Sequence, residues 1–210
     1  LKRRVAVLIS GRGSNMVSLL AAADAADYPA EIALVLSNRP DAPGLGLARG
    51  AATVAIDHRR YGPDRAAHEA SIQQALEAHG IELVCLAGYM RQLTRFLVER
   101  WRGRMLNIHP SLLPSFAGLR THERALAAGV TLHGCTVHLV TEALDDGPII
   151  AQAAVPVLPG DDAARLAARV LAQEHVLYPA ALRLVAGGQA CWAAETDALC
   201  NPLPAAAHLA

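Results

Sequence analysis

The segment Asn107-Ile108-His109-Pro110-Ser111-Leu112-Leu113-Pro114 holds the residues best suited to chemistry. It ends a short apolar run. In an extended strand residues two apart share a face, so Asn107 and His109 project together while Ile108 points away. Pro110 and Pro114 cannot continue a central ladder, so the chain must leave the sheet at the carboxyl end of a strand, where α/β sheets bind ligands. Further on, Leu144-Asp145-Asp146-Gly147-Pro148 is an acidic turn able to fold back over the sheet end. One of its carboxylates, Asp145 or Asp146, would stabilise an imidazolium at His109, and the other obeys ordinary turn chemistry. An amide, an imidazole and a carboxylate suit direct acyl transfer to an amine. Asn107 donates to the developing oxyanion, His109 relays a proton, and the carboxylate supports the charged ring. No nucleophilic side chain is required, and Ser111 reads as a loop hydrogen-bonder.

A metal would require His109, His133 and His138 to converge. The sequence holds no H-E-x-x-H and no Cys/His pair at ligand spacing, so no metal is expected and His138 is assigned to bracing the site. The other histidines fall in segments that read as helix surface or loop.

A second constellation is Ser10-Gly11-Arg12-Gly13-Ser14-Asn15, a glycine loop joining a first strand to a helix. The unpaired N–H groups of a first helical turn bind phosphate, and glycines let the backbone approach an anion closely. The alternative is a tight turn with a Ser or Asn cap. A dinucleotide fingerprint lacks its third glycine, since Met16 stands there, and the second strand ends in Ser37-Asn38-Arg39 without the acidic residue that would hold a ribose diol. Arg39 could accept a 2′-phosphate, which keeps NADP in view. No Gly-Lys-Ser/Thr follows the loop, so it is not a Walker loop.

These residues need a sheet to position them. Short apolar runs at 5–10, 32–37, 53–56, 83–87, 105–108, 135–140 and 149–155 alternate with longer amphipathic stretches, the pattern of strands buried on both faces and joined by helices. A helix is expected from near Asp64 to Gly80 with Ile72 and Leu76 on one face, and another after Asp161 with Leu166, Val170 and Leu177 at helical spacing. The sixth and seventh strands are too close in sequence for a helical crossover and should be antiparallel. The expected fold is therefore α/β: a Rossmann-like, mostly parallel seven-stranded sheet with helices on both faces and an antiparallel strand near the C-terminal end. Residues 1–188 are expected to form one catalytic domain. Residues 189–210 are expected to form a partly mobile extension, with the tail loose from residue 202 and Trp192 as a buried anchor.

At 210 residues and 22.1 kDa the chain suits one sizeable domain. Lys plus Arg balance Asp plus Glu at 19 each, which leaves no basic excess for a nucleic-acid backbone. Lys2-Arg3-Arg4 before a short apolar run resembles a signal peptide only faintly, and no apolar stretch approaches the ~20 residues that span a bilayer. Cys85, Cys135, Cys191 and Cys200 are scattered without a C-x-x-C pair, as in a reducing cytoplasm. Small-molecule partners, a cytoplasmic location, and a monomer or homodimer are expected.

From residue 5 to 188 the chain resembles the phosphoribosylglycinamide formyltransferases. The matching pieces are Ile9-Ser10-Gly11-x-Gly13-Ser14-Asn15, Leu86-Ala87-Gly88-Tyr89-Met90-Arg91, residues 107–114, Gly134-Cys135-Thr136-Val137-His138, Leu144-Asp145-x-Gly147-Pro148-Ile149-Ile150 and Gln173-Glu174-His175. The resemblance implies transfer of a formyl group from 10-formyltetrahydrofolate to the amine of 5′-phosphoribosylglycinamide, a step of purine synthesis. It implies catalytic roles for Asn107, His109 and Asp145, and so prefers Asp145 over Asp146. Gly13, Ser14 and Asn15 would hold the ribose phosphate, with Pro110 and Glu174 also meeting that substrate and Glu174 at its glycinamide end. The folate would meet Met90, Arg91, Gln92 and Leu93, together with Asn107, Thr141, Leu144 and Asp145, and Arg65 would face its glutamate tail.

Methionyl-tRNA formyltransferase shares the Asn-x-His-Pro-Ser-Leu-Leu-Pro segment but carries a further RNA-binding domain, for which this sequence offers neither length nor basic charge. Formyltetrahydrofolate hydrolase carries a regulatory domain ahead of the catalytic one, and a first strand at residue 5 leaves no room for it here. A silent nucleotide or folate sensor would not need Asn107, His109 and Asp145 together.

Overall fold

The computed structural model describes residues 1–193 and 198–200. The sheet is built from β1 (Arg3–Ile9), β2 (Ala30–Ser37), β3 (Ala52–Ala55), β4 (Leu83–Leu86), β5 (Met105–His109), β6 (Leu132–Leu139) and β7 (Ile149–Pro156). Their order is β3-β2-β1-β4-β5-β6-β7. Neighbours from β3 to β5 pair in parallel, while β6 runs antiparallel to both β5 and β7. All seven expected strands are present, with no boundary moved by more than three residues. Ser10 lies just past the end of β1, and β6 starts three residues earlier than the apolar run suggests, because the polar His133 and the small Gly134 pair in its ladder.

Alternation along the central strands feeds two cores. Val5, Val7 and Ile9 face Met16 and Leu19 of α1 (Ser14–Ala23) and Leu166, Val170 and Tyr178 of α5 (Ala163–Ala186). Ala6 and Leu8 face Ile72 and Leu76 of α2 (Arg65–Ala78) and Leu97 of α3 (Arg95–Arg100). Helices therefore cover both faces. Asp64 caps α2 by accepting from the Ala67 amide, and Gly80 follows that helix with φ +60°. Between β2 and β3 the crossover holds only a short 3₁₀ turn, Pro43–Leu47, in place of an α-helix.

Strand order reverses between β1 and β4, which opens a crevice at the carboxyl ends of these strands. On α5, Leu166, Val170, Glu174 and Tyr178 recur every fourth residue on the buried side, and the Tyr178 hydroxyl reaches the carbonyls of Leu86 and Leu106, each at 3.1 Å. One helix is thereby fastened to the end of β4 and the body of β5.

Two features depart from the sequence reading. After α5, where periodicity fades, β8 (Cys191–Ala193) and β9 (Ala198–Cys200) pair as a separate antiparallel hairpin, and Ala190 is packed into the core. His68, read as helix surface, is buried, with Nε2 beside the Ile56 carbonyl at 3.0 Å. The segment after β3, with the Ile56 carbonyl and the Tyr61 ring 5.3 Å away, packs over His68, which helical periodicity alone does not reveal. The loose tail from residue 202 and the side chain of Trp192 lie outside the described residues. No helix among the described residues is long and apolar enough to cross a membrane.

Burial pushes the imidazoles of His68, His122, His133, His138 and His175 below their ordinary value, His133 to about 4. His133 packs edge to face against His122 at 5.3 Å and Phe116 at 5.8 Å. In each case the folded-state value lies below the unfolded one, so unfolding below about pH 6.5 takes up protons that the folded state refuses. Stability is complete above that pH and lost as pH falls towards 5. Urea midpoints should fall progressively from pH 7.5 to 5, and His133→Gln should flatten the slope by up to one proton, about 1.4 kcal/mol per pH unit. Midpoints independent of pH over this window would show that the rings are not held neutral.

Candidate active site

At the end of β5 the side chains divide as alternation requires. Leu106 and Ile108 join one core, while Asn107 and His109 face the other way. The antiparallel ladder sets His138 opposite Asn107 and Thr136 opposite His109, and the β6–β7 pairing slips at His138. The His138 Nδ1–H donates to the Leu139 carbonyl at 2.9 Å. Burial pushes this ring down, against the upward pull of the Leu139 carbonyl and Asp145, and holds it neutral. Its Nε2 then carries a lone pair and accepts from Asn107 Nδ2 at 3.2 Å. This fixes the orientation of the Asn107 amide and leaves its second N–H for another acceptor.

The acidic turn folds back over the sheet end as expected. Asp145 adopts the left-handed conformation at φ 53°, and its side chain is only 8% exposed. Its Oδ2 accepts from the Gly118 amide at 2.8 Å and lies 3.4 Å from His109 Nδ1. Oδ1 lies 3.9 Å from His138 Nε2. That distance does not mark an ion pair, because the neutral His138 presents a lone pair there. Asp146 is exposed, so of the two acidic residues it is Asp145 that meets the histidine. Gly147 makes this packing possible, since a Cβ there would collide with the Leu139 carbonyl oxygen and press on His138 Nδ1. On its other side, His109 Nε2 faces the Phe116 carbonyl at 3.2 Å. Ser111 hydrogen-bonds within its loop, donating to the Ser115 carbonyl at 2.7 Å. Among the described residues no three His, Cys, Asp or Glu side chains gather to hold a metal ion.

The glycine loop opens on the same edge. The carboxyl end of β1 lies two strands from that of β5, about 10 Å at ordinary strand spacing. Gly13, at φ +75°, is the N-cap of α1 and offers no side-chain cap, so the first-turn N–H groups from Ser14 onward are open to a ligand. The loop is buttressed by the 3₁₀ turn, where the Gly44 amide donates to the Gly11 carbonyl at 3.0 Å. A Cβ at Gly44 would strike Ile9 Cδ1 at 2.6 Å, so the close approach needs glycine. Asn15 Nδ2 donates to Glu174 Oε2 at 2.6 Å, joining the cradle to α5, while Asn15 Oδ1 is buried without a partner. Burial pushes the Glu174 carboxyl up, and the Asn15 hydrogen bond pulls it down. A carboxyl group interrupting the buried stripe of α5, beside an unpaired amide oxygen, forms an acceptor pair suited to an N–H-bearing group.

A third group of residues flanks the crevice. Met90 and Gln92 are exposed, Arg91 and Leu93 half-buried, in an irregular segment after β4. Thr141 is half-buried and Leu144 exposed on the loop after β6, and Glu142 of that loop pairs with Arg95, the first residue of α3, at 3.2 Å. A cavity of about 260 Å³ lies behind this loop, walled by Val98, Leu139, Val140, Thr141, Ala143 and Pro148. Thr141 is its one residue from the expected folate set. A larger cavity of about 360 Å³, beside Arg4, Glu31 and Arg49, involves none of the expected site residues. Pro110 is half-buried next to His109, and Arg65 stands exposed on the first turn of α2.

The structure thus brings Asn107, His109, Asp145 and His138 into one cluster, and Gly13, Ser14, Asn15 and Glu174 into another on the same edge. Arg65 is in contact with neither cluster. The backbone groups of Phe116 and Gly118 that hold His109 and Asp145 were not anticipated. Their one sequence signal is Gly118, which sits at φ +81° between two more positive-φ residues, Phe116 and Arg120.

Residues 3–182 match the formyl transferase family model. The chain is 48% identical over 204 residues to the human trifunctional purine biosynthetic protein adenosine-3, covering 92% of this chain and 20% of that protein. It therefore spans about a fifth of the length of that trifunctional relative. It is 41% identical to the phosphoribosylglycinamide formyltransferase of Haemophilus influenzae, covering 89% of each. The crystal structure of phosphoribosylglycinamide formyltransferase from Brucella melitensis superimposes with a TM-score of 0.85 at 53% identity, covering 90% of this chain and 97% of that one. The chain therefore belongs to the formyl transferase family of enzymes, in its phosphoribosylglycinamide formyltransferase branch.

Proposed function

We propose that this chain transfers the formyl group of 10-formyltetrahydrofolate to the amine of 5′-phosphoribosylglycinamide, with residues 1–188 as the catalytic unit. The observation that carries this reading is the convergence of Asn107, hydrogen-bonded to His138, with His109, whose Nδ1 lies 3.4 Å from Asp145 Oδ2, at the sheet edge where the glycine loop also opens. The amine nitrogen attacks the formyl carbon, and the free Asn107 N–H stabilises the oxygen as it becomes anionic. His109 takes the proton that the attacking nitrogen sheds and returns one to the departing folate nitrogen, while Asp145 holds the imidazolium. Breakage of the carbon–folate nitrogen bond leaves the formylated glycinamide and tetrahydrofolate. Because His109 Nε2 now faces the Phe116 carbonyl, substrate must displace that contact for the ring to reach the amine.

The ribose phosphate would rest on Gly13, Ser14 and Asn15, with Glu174 and the open Asn15 Oδ1 receiving the N–H groups of the glycinamide. The folate would lie between Met90, Arg91, Gln92 and Leu93 on one side and Thr141 and Leu144 on the other, with Arg65 available to its glutamate tail.

Release of tetrahydrofolate, followed spectroscopically, distinguishes the acceptors: turnover should depend on phosphoribosylglycinamide and not on initiator methionyl-tRNA or water. Asp145→Asn should lower kcat by about a thousandfold or more while inorganic phosphate still binds the cradle. Unchanged turnover in that variant would remove Asp145 from the mechanism. Gly147→Ala should push the acidic turn off β6 and lower kcat by at least about tenfold, since small displacements of positioned groups are costly. Wild-type rates in this variant would show that the turn need not sit where the structure has it.

A further inference from the structure

We propose that Ser10 and Glu69 are positioning residues that pin the two ends of segment 90–93 and hold it in the shape its ligand needs. This rests on the folate reading above. The segment leaves β4 at the crevice where strand order reverses, and it has no regular structure. Among the described residues no backbone–backbone hydrogen bond outside the regular elements involves Arg91, Gln92 or Leu93. Such a stretch has little local reason to keep one conformation. Two buried side chains from distant parts of the chain supply that reason.

At its start, the Met90 amide donates to Ser10 Oγ at 2.8 Å. The Ser10 hydroxyl spends its own proton on Asn38 Oδ1 at 2.6 Å, so it presents a lone pair to Met90. Ser10 and Asn38 are both buried. At its end, Thr94 is the N-cap of α3, yet its side chain makes no capping bond there. The Glu69 carboxylate, reaching across from α2 and buried, accepts from the Thr94 amide at 2.7 Å and from Thr94 Oγ1 at 2.5 Å. Bonds to an acceptor shielded from water resist competition from solvent and fix geometry. Between the pins, residues 91–93 are irregular in conformation. Ser10 lies just past the end of β1, so its hydroxyl ties the segment to the sheet itself.

The test uses Ser10→Ala, Glu69→Ala and Glu69→Gln, with tetrahydrofolate binding read by calorimetry and both KM values by steady-state kinetics. Each alanine variant should weaken tetrahydrofolate binding and raise the folate KM about tenfold, with a smaller fall in kcat. The KM for phosphoribosylglycinamide should stay within about twofold of wild type. Glu69→Gln should restore folate binding, because its Oε1 can accept from the Thr94 amide while its Nε2 donates to Thr94 Oγ1. The pins are refuted by unchanged folate binding in both alanine variants, by parallel rises in both KM values, or by Glu69→Gln behaving like Glu69→Ala. If Glu69→Ala does not fold, Ser10→Ala decides by the same criteria. A wild-type protein that does not bind tetrahydrofolate would instead overturn the folate reading itself.

Discussion

A single buried imidazole, His138, organises the candidate catalytic edge. His138 sits opposite Asn107 in the antiparallel ladder and spends its one N–H on the carbonyl of Leu139. The other ring nitrogen must then accept, and the only orientation of Asn107 that satisfies it turns the amide N–H₂ inward. A protonated ring would present an N–H there and repel the amide, so the orientation of the proposed oxyanion donor depends on burial keeping His138 neutral. The acidic turn rests on the same strand through Gly147, which couples the position of Asp145 to that of His138. His109 then lies between Asp145 and the Phe116 carbonyl. Amide, imidazole and carboxylate are set by one short piece of sheet.

The remainder of the fold brings a second pair of groups to that edge. The helix α5 is fastened by Tyr178 to the carbonyls of Leu86, the last residue of β4, and Leu106 within β5, and Glu174 lies one turn earlier on the same buried face. This delivers a carboxyl group to Asn15 at the start of α1. A carboxyl group in an apolar stripe is costly to bury, and here the short hydrogen bond from Asn15 offsets part of that cost. The reversal of strand order between β1 and β4 separates the loops that follow them, and the crevice so opened is spanned by the Ser10–Met90 bond.

The chain's likeness to phosphoribosylglycinamide formyltransferases extends over most of its length, and the human relative carries the same unit as about a fifth of a larger protein. Both cores, the paired strands β1 to β7 and the clustered side chains lie within one run of residues that the family model nearly spans. The architecture that positions the site is thus contained in this unit.

What the sequence determined on its own was whatever local rules govern. Short continuous apolar runs marked all seven strands of the main sheet, Asp64 and Gly80 bounded α2, and the short link between β6 and β7 required an antiparallel pair. Alternation alone predicted that Asn107 and His109 share a face. Tertiary structure decided what bridges distance along the chain. Asn15 and Glu174 are 159 residues apart, Ser10 and Met90 80, Gly118 and Asp145 27, and Glu69 and Thr94 25. No periodicity or turn signal encodes such pairings, because they arise only when the sheet has closed and buried polar groups must find partners. The same cause hid His68, which local pattern placed on a helix surface and which the segment after β3 covers.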